Sequence, residues 1–302
     1  MVSAVFFVSF SAIIIRLSTA PALAIAAWRM ALATGMMVPV LAVFHRRRGR
    51  LFHSNPTQGS AAAPMLRSRL LSRQVSLIVL SGLFLAAHFA TWITSLSLTS
   101  VVHSTVLVTL HPMIVILASA AFLKEPVSSR ALLGSVGAVG GAVLLSMGST
   151  ISGITPTVTG NVLAFLGALA VAAYMVIGRW ARRETSASAY NTLVYGTAAA
   201  VLFPFALVLG QSIGPFPLRE YLLLAALAFF CTILGHGLFN WALRFIPATE
   251  VSLAVLLEPV FASLMAAVLF QEIPGPVTVL GAVIILGSLA FVLYHGTMEV
   301  KR

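Results

Sequence analysis

The sequence predicts an all-α polytopic membrane protein: ten transmembrane helices in two inverted five-helix repeats. Three observations carry that expectation. Hydrophobic residues fill 60% of the 302 positions and charged residues only 8%, and the mean hydropathy is +1.04. The surface of a soluble protein is already roughly 55–60% apolar at ordinary composition, so this excess has to face lipid. The chain also divides into ten apolar runs, and its second half repeats the first.

A helix needs about 20 residues to cross roughly 30 Å of hydrocarbon. Runs near that length fall at about 2–16, 22–44, 75–97, 101–123, 131–148, 160–179, 188–210, 220–243, 249–270 and 276–295. The first is short, with about fourteen residues between Met1 and Arg16, or roughly 21 Å of helix. Ala22-Leu23-Ala24 could mimic a small-residue cleavage site after it, but the basic segment of a signal peptide is missing, so the run is read as a membrane helix.

Charge sets the expected orientation. The chain carries 18 Lys+Arg against 7 acids, all of them Glu, for a net charge of +11. With the N-terminus inside, fifteen basic residues fall in cytoplasmic segments, including Arg46, Arg47, Arg48, Arg50, Arg67, Arg69 and Arg73, and only Arg16 and Arg219 lie outside. The positive-inside rule therefore places both termini in the cytoplasm of a multi-pass protein of the cytoplasmic (inner) membrane. The same rule accounts for the basic run 45–50, leaving no need for a nucleic-acid partner. Loop 45–74 is the longest connection and is rich in Ser, Pro, Gly and Ala through its middle.

Repetition organises the spans. Leu110-His111-Pro112 and Lys124-Glu125 recur as Leu257-Glu258-Pro259 and Gln271-Glu272, 147 positions on. That offset also maps Leu133-Gly134 onto Leu280-Gly281 and Gly140 onto Gly287. Ala90-Thr91-Trp92 aligns with Phe239-Asn240-Trp241 after a two-residue gap, and Pro39 has a counterpart in Pro204. The repeats are expected at 1–148 (helices 1–5, with the basic loop) and 149–302 (helices 6–10). Five spans is an odd number, so the second copy enters the membrane from the other side. Inverted repeats are an architecture of secondary transporters, whose binding site lies near the midplane between the halves.

The residues in this order resemble those of a ten-helix EamA-type member of the drug/metabolite transporter superfamily. The resemblance covers essentially the whole chain. It rests on Ser9-Phe10-Ser11-Ala12-Ile13 with Arg16, Trp28-Arg29-Met30 and His88-Phe89-Ala90-Thr91-Trp92. In the second half it rests on His236, Asn240-Trp241-Ala242-Leu243-Arg244, Pro247-Ala248-Thr249 and Leu257-Glu258-Pro259-Val260. The sequence departs from the pattern by starting inside its first helix. The resemblance implies selective export or exchange of small metabolites, commonly amino acids, by alternating access. A lipid or drug flippase of the same fold and a non-transporting membrane sensor or scaffold are the alternatives.

Polar groups within the spans are the candidate site, because an ionisable side chain at the bilayer centre costs about 2.5–3.5 kcal/mol on insertion scales. Arg29 lies some eight residues into the second span, roughly 12 Å deep. It either grips a substrate carboxylate with its fork or pairs with Glu258 or helix-end carbonyls as a structural clamp. Glu258 precedes a helix-breaking proline at mid-span and reads either as a site of proton exchange or as a structural acid. His111 takes its place in the first repeat. His88, His103 and His236 also fall in or near spans, where a histidine commonly bonds a neighbouring helix. Trp28, Trp92, Tyr174, Tyr195 and Trp241 offer aromatic walls, and Asn240 a polar anchor. The expected substrate-binding set is Arg29, Trp92, His111, Asn240, Trp241 and Glu258.

Gly134, Gly137, Gly140 and Gly141 mark a close-packing face on the fifth span, for contact within the chain or between two copies. One cysteine, Cys231, excludes an intrachain disulfide, and HExxH, GxSxG and phosphate-loop motifs are missing, so neither an enzyme nor a metal or other cofactor is expected. The expected partners are a small-molecule substrate, the lipid bilayer and protons as a coupling ion.

Overall fold

The computed structural model describes residues 1–48, 63–99, 101–124, 128–147, 157–270 and 275–299. Glu125, Glu272 and residues 49–62 lie outside the described residues; the rest of the expected loop 45–74 is helical, extending the spans on either side. Ten helical spans run along the chain: α1 (Val2–Leu17), α2 (Ala22–Arg48), α3 (Ala63–Leu98), α4 (101–123), α5 (Ser129–Met147), α6 (Val158–Arg182), α7 (Ala187–Val208), α8 (Leu218–Ala242), α9 (248–270) and α10 (Pro276–Glu299). No strand occurs among the described residues. Stretches of α2, α3, α6, α7 and α8 are long and apolar enough to cross a membrane unaided, and the apolar stretches found in α1, α4, α5 and α10 among the described residues are shorter. The expected ten-helix membrane fold is what the chain adopts.

Packing repeats with the sequence. Contacts of α1 with α8 are matched by those of α6 with α3, and contacts of α2 with α8 by those of α7 with α3. The helices that pair across the symmetry, α2 with α7 and α5 with α10, also pack on each other. The two repeats therefore interdigitate, and their boundary runs through the centre of the bundle. The α5–α10 pair and part of α9 form a separate small cluster, with Ala138, Ala142, Leu256 and Ile285 fully buried.

Polar bonds tie the repeats together at both faces. At the face carrying residues 18–21, Ser18 Oγ donates to Glu220 Oε2 at 2.5 Å, while Thr19 donates its N–H at 3.2 Å and its hydroxyl at 3.1 Å to the same carboxyl. Glu220 is buried there, and Arg219 Nη1 reaches it at 3.2 Å. Nearby, Leu23 N–H donates to Gln211 Oε1 at 3.0 Å and Trp28 Nε1 to the Ile213 carbonyl at 2.9 Å. The start of α6 is fixed by Thr157, which accepts from Gly160 N–H at 3.0 Å and donates to the Leu98 carbonyl at 2.7 Å. At the opposite face Gln74 Nε2 donates to Glu184 Oε2 at 2.7 Å, and Arg182 donates to the carbonyls of Asn240 and Thr185.

The glycine face of α5 is used inside the chain. A Cβ on Gly141 would sit 2.8 Å from the Gly281 carbonyl oxygen of α10, and one on Gly137 would sit 2.5 Å from Ser288 Oγ. Nothing lies within 4 Å of the same position on Gly140. Gly141→Val should therefore destabilise the protein by about 1–3 kcal/mol, the usual cost of overpacking. Gly140→Ala should be neutral or slightly stabilising. Thermal unfolding in detergent checks the pair, and equal midpoints for the two variants would contradict the packing.

Candidate functional site

Two prolines build the site. Pro112 and Pro259 have no N–H to donate to the carbonyls four residues upstream, those of Val108 and Val255, and each ring crowds that carbonyl. Both helices break just before the proline. Leu110 (φ −71°, ψ −17°) ends one segment of α4 ahead of His111, and Leu256 (φ −62°, ψ −11°) ends one segment of α9 two residues ahead of Glu258. In hydrocarbon a freed carbonyl needs a substitute donor. His111 supplies it in the first repeat, its Nδ1 donating to the Val108 carbonyl at 2.9 Å. A carbonyl only accepts, so Nδ1 carries the proton in the neutral ring and Nε2 is an acceptor. That Nε2 is buried and has no hydrogen-bond partner in the protein.

Both breaks open onto one cavity. It is lined from α4 by Thr105, Val108, Thr109 and His111, and from α9 by Val255 and Glu258. His88 and Trp92 of α3 and His236, Phe239, Asn240 and Leu243 of the α8 region form two more walls. Val8 and Ser11 of α1 and Val171, Tyr174 and Met175 of α6 complete it. The lining thus comes from three symmetry-related helix pairs, α1/α6, α3/α8 and α4/α9. The centre of a water molecule can reach about 50 Å³ of it, room for a few waters or a small head group.

Trp92, His111, Asn240 and Glu258 of the expected set come together here. Trp92 stacks on His88 with centroids 5.8 Å apart and planes 5° from parallel. His88 Nδ1 is within 2.9 Å of the Gly167 carbonyl, which again leaves its Nε2 as the acceptor of a neutral ring. His88 and His236 approach each other with ring centroids 6.5 Å apart. Asn240 is fully buried, and its amide is engaged at both ends: it accepts from Tyr174 Oη at 2.5 Å and donates to Asn191 Oδ1 at 2.8 Å. It shapes the wall as part of a network across α6, α7 and α8.

Arg29 and Trp241 do not line the cavity. Arg29 is fully buried behind Ser11, donating from Nε to Thr232 Oγ1 at 2.7 Å and from Nη1 to Ser11 Oγ at 3.0 Å. Its guanidinium carbon lies 4.3 Å from the Phe89 ring centroid, and Nη2 has no partner. Neither Glu258 nor a helix-end carbonyl holds it. Small hydroxyls of α1 and α8 do, because they can approach a guanidinium from inside the bundle.

Trp241 is 54% exposed and packs on Phe245 at 5.2 Å. The repeat alignment is one residue out at this point. The cavity-facing pairs His88/His236 and Trp92/Asn240 are each 148 positions apart. The turns of α8 over Leu227–His236 are π-helical, and such wide turns absorb an inserted residue without ending the helix. Trp28 and Tyr195 also lie off the cavity, Trp28 held by Ile213 and Tyr195 Oη donating to the Thr232 carbonyl at 3.3 Å.

Thr105, Thr109 and Met175 were not among the candidates, and Ser11 and Phe239 entered only through the family and repeat patterns. For the first three a helical stripe is the only sequence signal, as with Val171, Tyr174 and Met175 at spacings of three and four. In a membrane helix the lipid face is as apolar as the cavity face, so such stripes do not stand out.

The description "EamA-like transporter family" fits residues 1–147 and again 158–294, the two five-helix halves. The chain belongs to the EamA-like transporter family. EamA-type proteins are part of the drug/metabolite transporter superfamily. A relative in Bacillus subtilis (strain 168), the uncharacterized transporter YyaM, is 25% identical over 281 residues, spanning 89% of this chain and 86% of that one. A solved structure, described only as the crystal structure of a protein, shares the fold with a TM-score of 0.73. It is 18% identical and covers 96% of this chain and 93% of that one.

In this EamA protein the buried Arg29 clamps α2 to α1 and α8. Thr232→Val keeps the side-chain shape but strands a charged donor, which should cost about 1.5–3 kcal/mol. Thermal unfolding in detergent is the check. An unchanged midpoint would show that Arg29 does not depend on that bond.

Proposed function

We propose that the protein is a secondary active transporter that exports or exchanges small metabolites across the cytoplasmic membrane by alternating access, with both termini in the cytoplasm. The observation that carries this reading is the cavity at the boundary of the two repeats, lined by symmetry-related helix pairs. Tilting α1, α3 and α4 against α6, α8 and α9 would close the cavity to one face and open it to the other, because inversion makes the two faces equivalent. The hydroxyl and carboxyl bonds of Ser18 and Thr19 with Glu220, and of Gln74 with Glu184, are exchangeable ties at the two faces. The fifteen-to-two bias of basic residues supports the orientation.

Glu258 is the proposed proton-carrying group. It lines the cavity at mid-span, half-buried, with the rings of His88, His111 and His236 among the other walls. Reconstituted vesicles test the reading through saturable uptake and counterflow of radiolabelled metabolites, amino acids first. Flux that never saturates would remove it. Under a proton gradient Glu258→Gln should abolish the pH dependence of whatever transport remains at saturating solute. If the pH profile of Glu258→Gln matches that of the unaltered protein, Glu258 carries no proton in the cycle and the coupling assignment fails.

A further inference from the structure

The cavity's fixed polar groups have a chemistry of their own. His111 Nδ1 is spent on the Val108 carbonyl and His88 Nδ1 on the Gly167 carbonyl, so the opposite nitrogen of each neutral ring offers a lone pair. His111 is 3% exposed and its Nε2 is unpartnered, on the ring edge away from its own backbone. The Glu258 carboxyl, half-buried on the same cavity, adds acceptor oxygens. Most donors set by the fold are already used, the Trp92 indole N–H and Arg29 Nη2 being the exceptions. Arg29 Nε and Nη1 serve Thr232 and Ser11, Asn240 Nδ2 serves Asn191, and Tyr174 Oη serves Asn240. His236 and the threonine hydroxyls can turn either way. The remaining walls are apolar or aromatic, with Trp92, Phe239 and Tyr174 able to cover a hydrophobic body or face a cation.

We propose that this cavity recognises its substrate by an ammonium or amine group, held by His111 Nε2 and the Glu258 carboxylate, rather than by a carboxylate. The assignment rests on the transport reading above and narrows it to substrates whose cationic nitrogen sits beside an apolar or aromatic body. The proline at 112 is what makes His111 selective. By freeing the Val108 carbonyl it holds a proton on Nδ1, so in its neutral form His111 accepts from a substrate N–H at Nε2 and does not donate to an anion. Arg29 Nη2 is the rival. It lies behind Ser11, and an anionic substrate would have to displace that hydroxyl to reach it.

Three probes with the same ring separate the two chemistries: 2-phenylethylamine has only the amine, 3-phenylpropionate only the acid, and phenylalanine both. Ligand-induced thermal stabilisation of the purified protein should appear with 2-phenylethylamine and phenylalanine and be missing with 3-phenylpropionate. His111→Asn is the informative variant, because the shorter amide can still donate to the Val108 carbonyl but has nothing at the Nε2 position. It should keep the unliganded melting point and weaken amine binding about tenfold or more, the worth of a hydrogen bond to a charged group. Glu258→Gln should weaken amine binding by at least as much.

Stabilisation by 3-phenylpropionate but not by either amine, no stabilisation by either amine, or unchanged amine affinity in His111→Asn overturns the proposal. If His111→Asn lowers the unliganded melting point, Glu258→Gln decides alone, and undiminished amine binding in it is equally fatal. Flux in vesicles is read separately. Saturable transport of a carboxylate or neutral solute leaves the transporter reading standing without the amine assignment, whereas amine binding without any flux leaves the assignment and removes the transporter reading.

Discussion

Everything central to this protein depends on the demand that a backbone in lipid satisfy its own polar groups. Pro112 and Pro259 violate it at matched places, one in each repeat, by withholding an N–H from a carbonyl inside the bundle. The fold answers by breaking α4 and α9 there and turning both breaks towards each other across a cavity. His111 closes one gap with its ring N–H. Glu258, its counterpart, can make the analogous bond only when protonated, since a carboxylate has no proton to donate. One repeat therefore carries a fixed donor and the other a conditional one.

A second demand follows from the first. A bundle that encloses polar groups must bury the charges that organise them, and Arg29 is the largest. It sits over Phe89 with two hydroxyls in its grip, joining α2 to α1 and α8 just behind the cavity wall. The Asn240, Tyr174 and Asn191 network does the same on the other side with neutral groups. Around these walls the bonds at the two faces, at Glu220 and at Glu184, join the two repeats.

The ten spans, their repeat and the meeting of His111 with Glu258 were legible because each has a signal that survives in one dimension: hydropathy, a constant offset and a proline. A close-packing glycine face on α5 was legible, but not that α10 is what packs on it. What could not be read was rotation. Trp241 was paired with Trp92 by spelling, but the π-helical turns upstream in α8 carry Asn240 into the wall and leave Trp241 outside. Arg29 is buried within the second span as expected, but its partners were not legible, because Ser11 and Thr232 are two among many small hydroxyls and only packing selects them. Thr105 and Thr109 were invisible for the same reason.

The central claim is that one cavity, shared by two inverted halves, opens to one face at a time. Thr105 and Leu243 line it from the ends of α4 and α8 nearest opposite faces, and replacing Cys231 by alanine leaves no other thiol. Single cysteines at 105 and 243 can then be labelled in sealed vesicles with a membrane-impermeant maleimide. Alternating access predicts that the two positions react from opposite faces and that a transported solute raises one rate as it lowers the other. Both positions reacting from the same face, or both rates rising together, would contradict it.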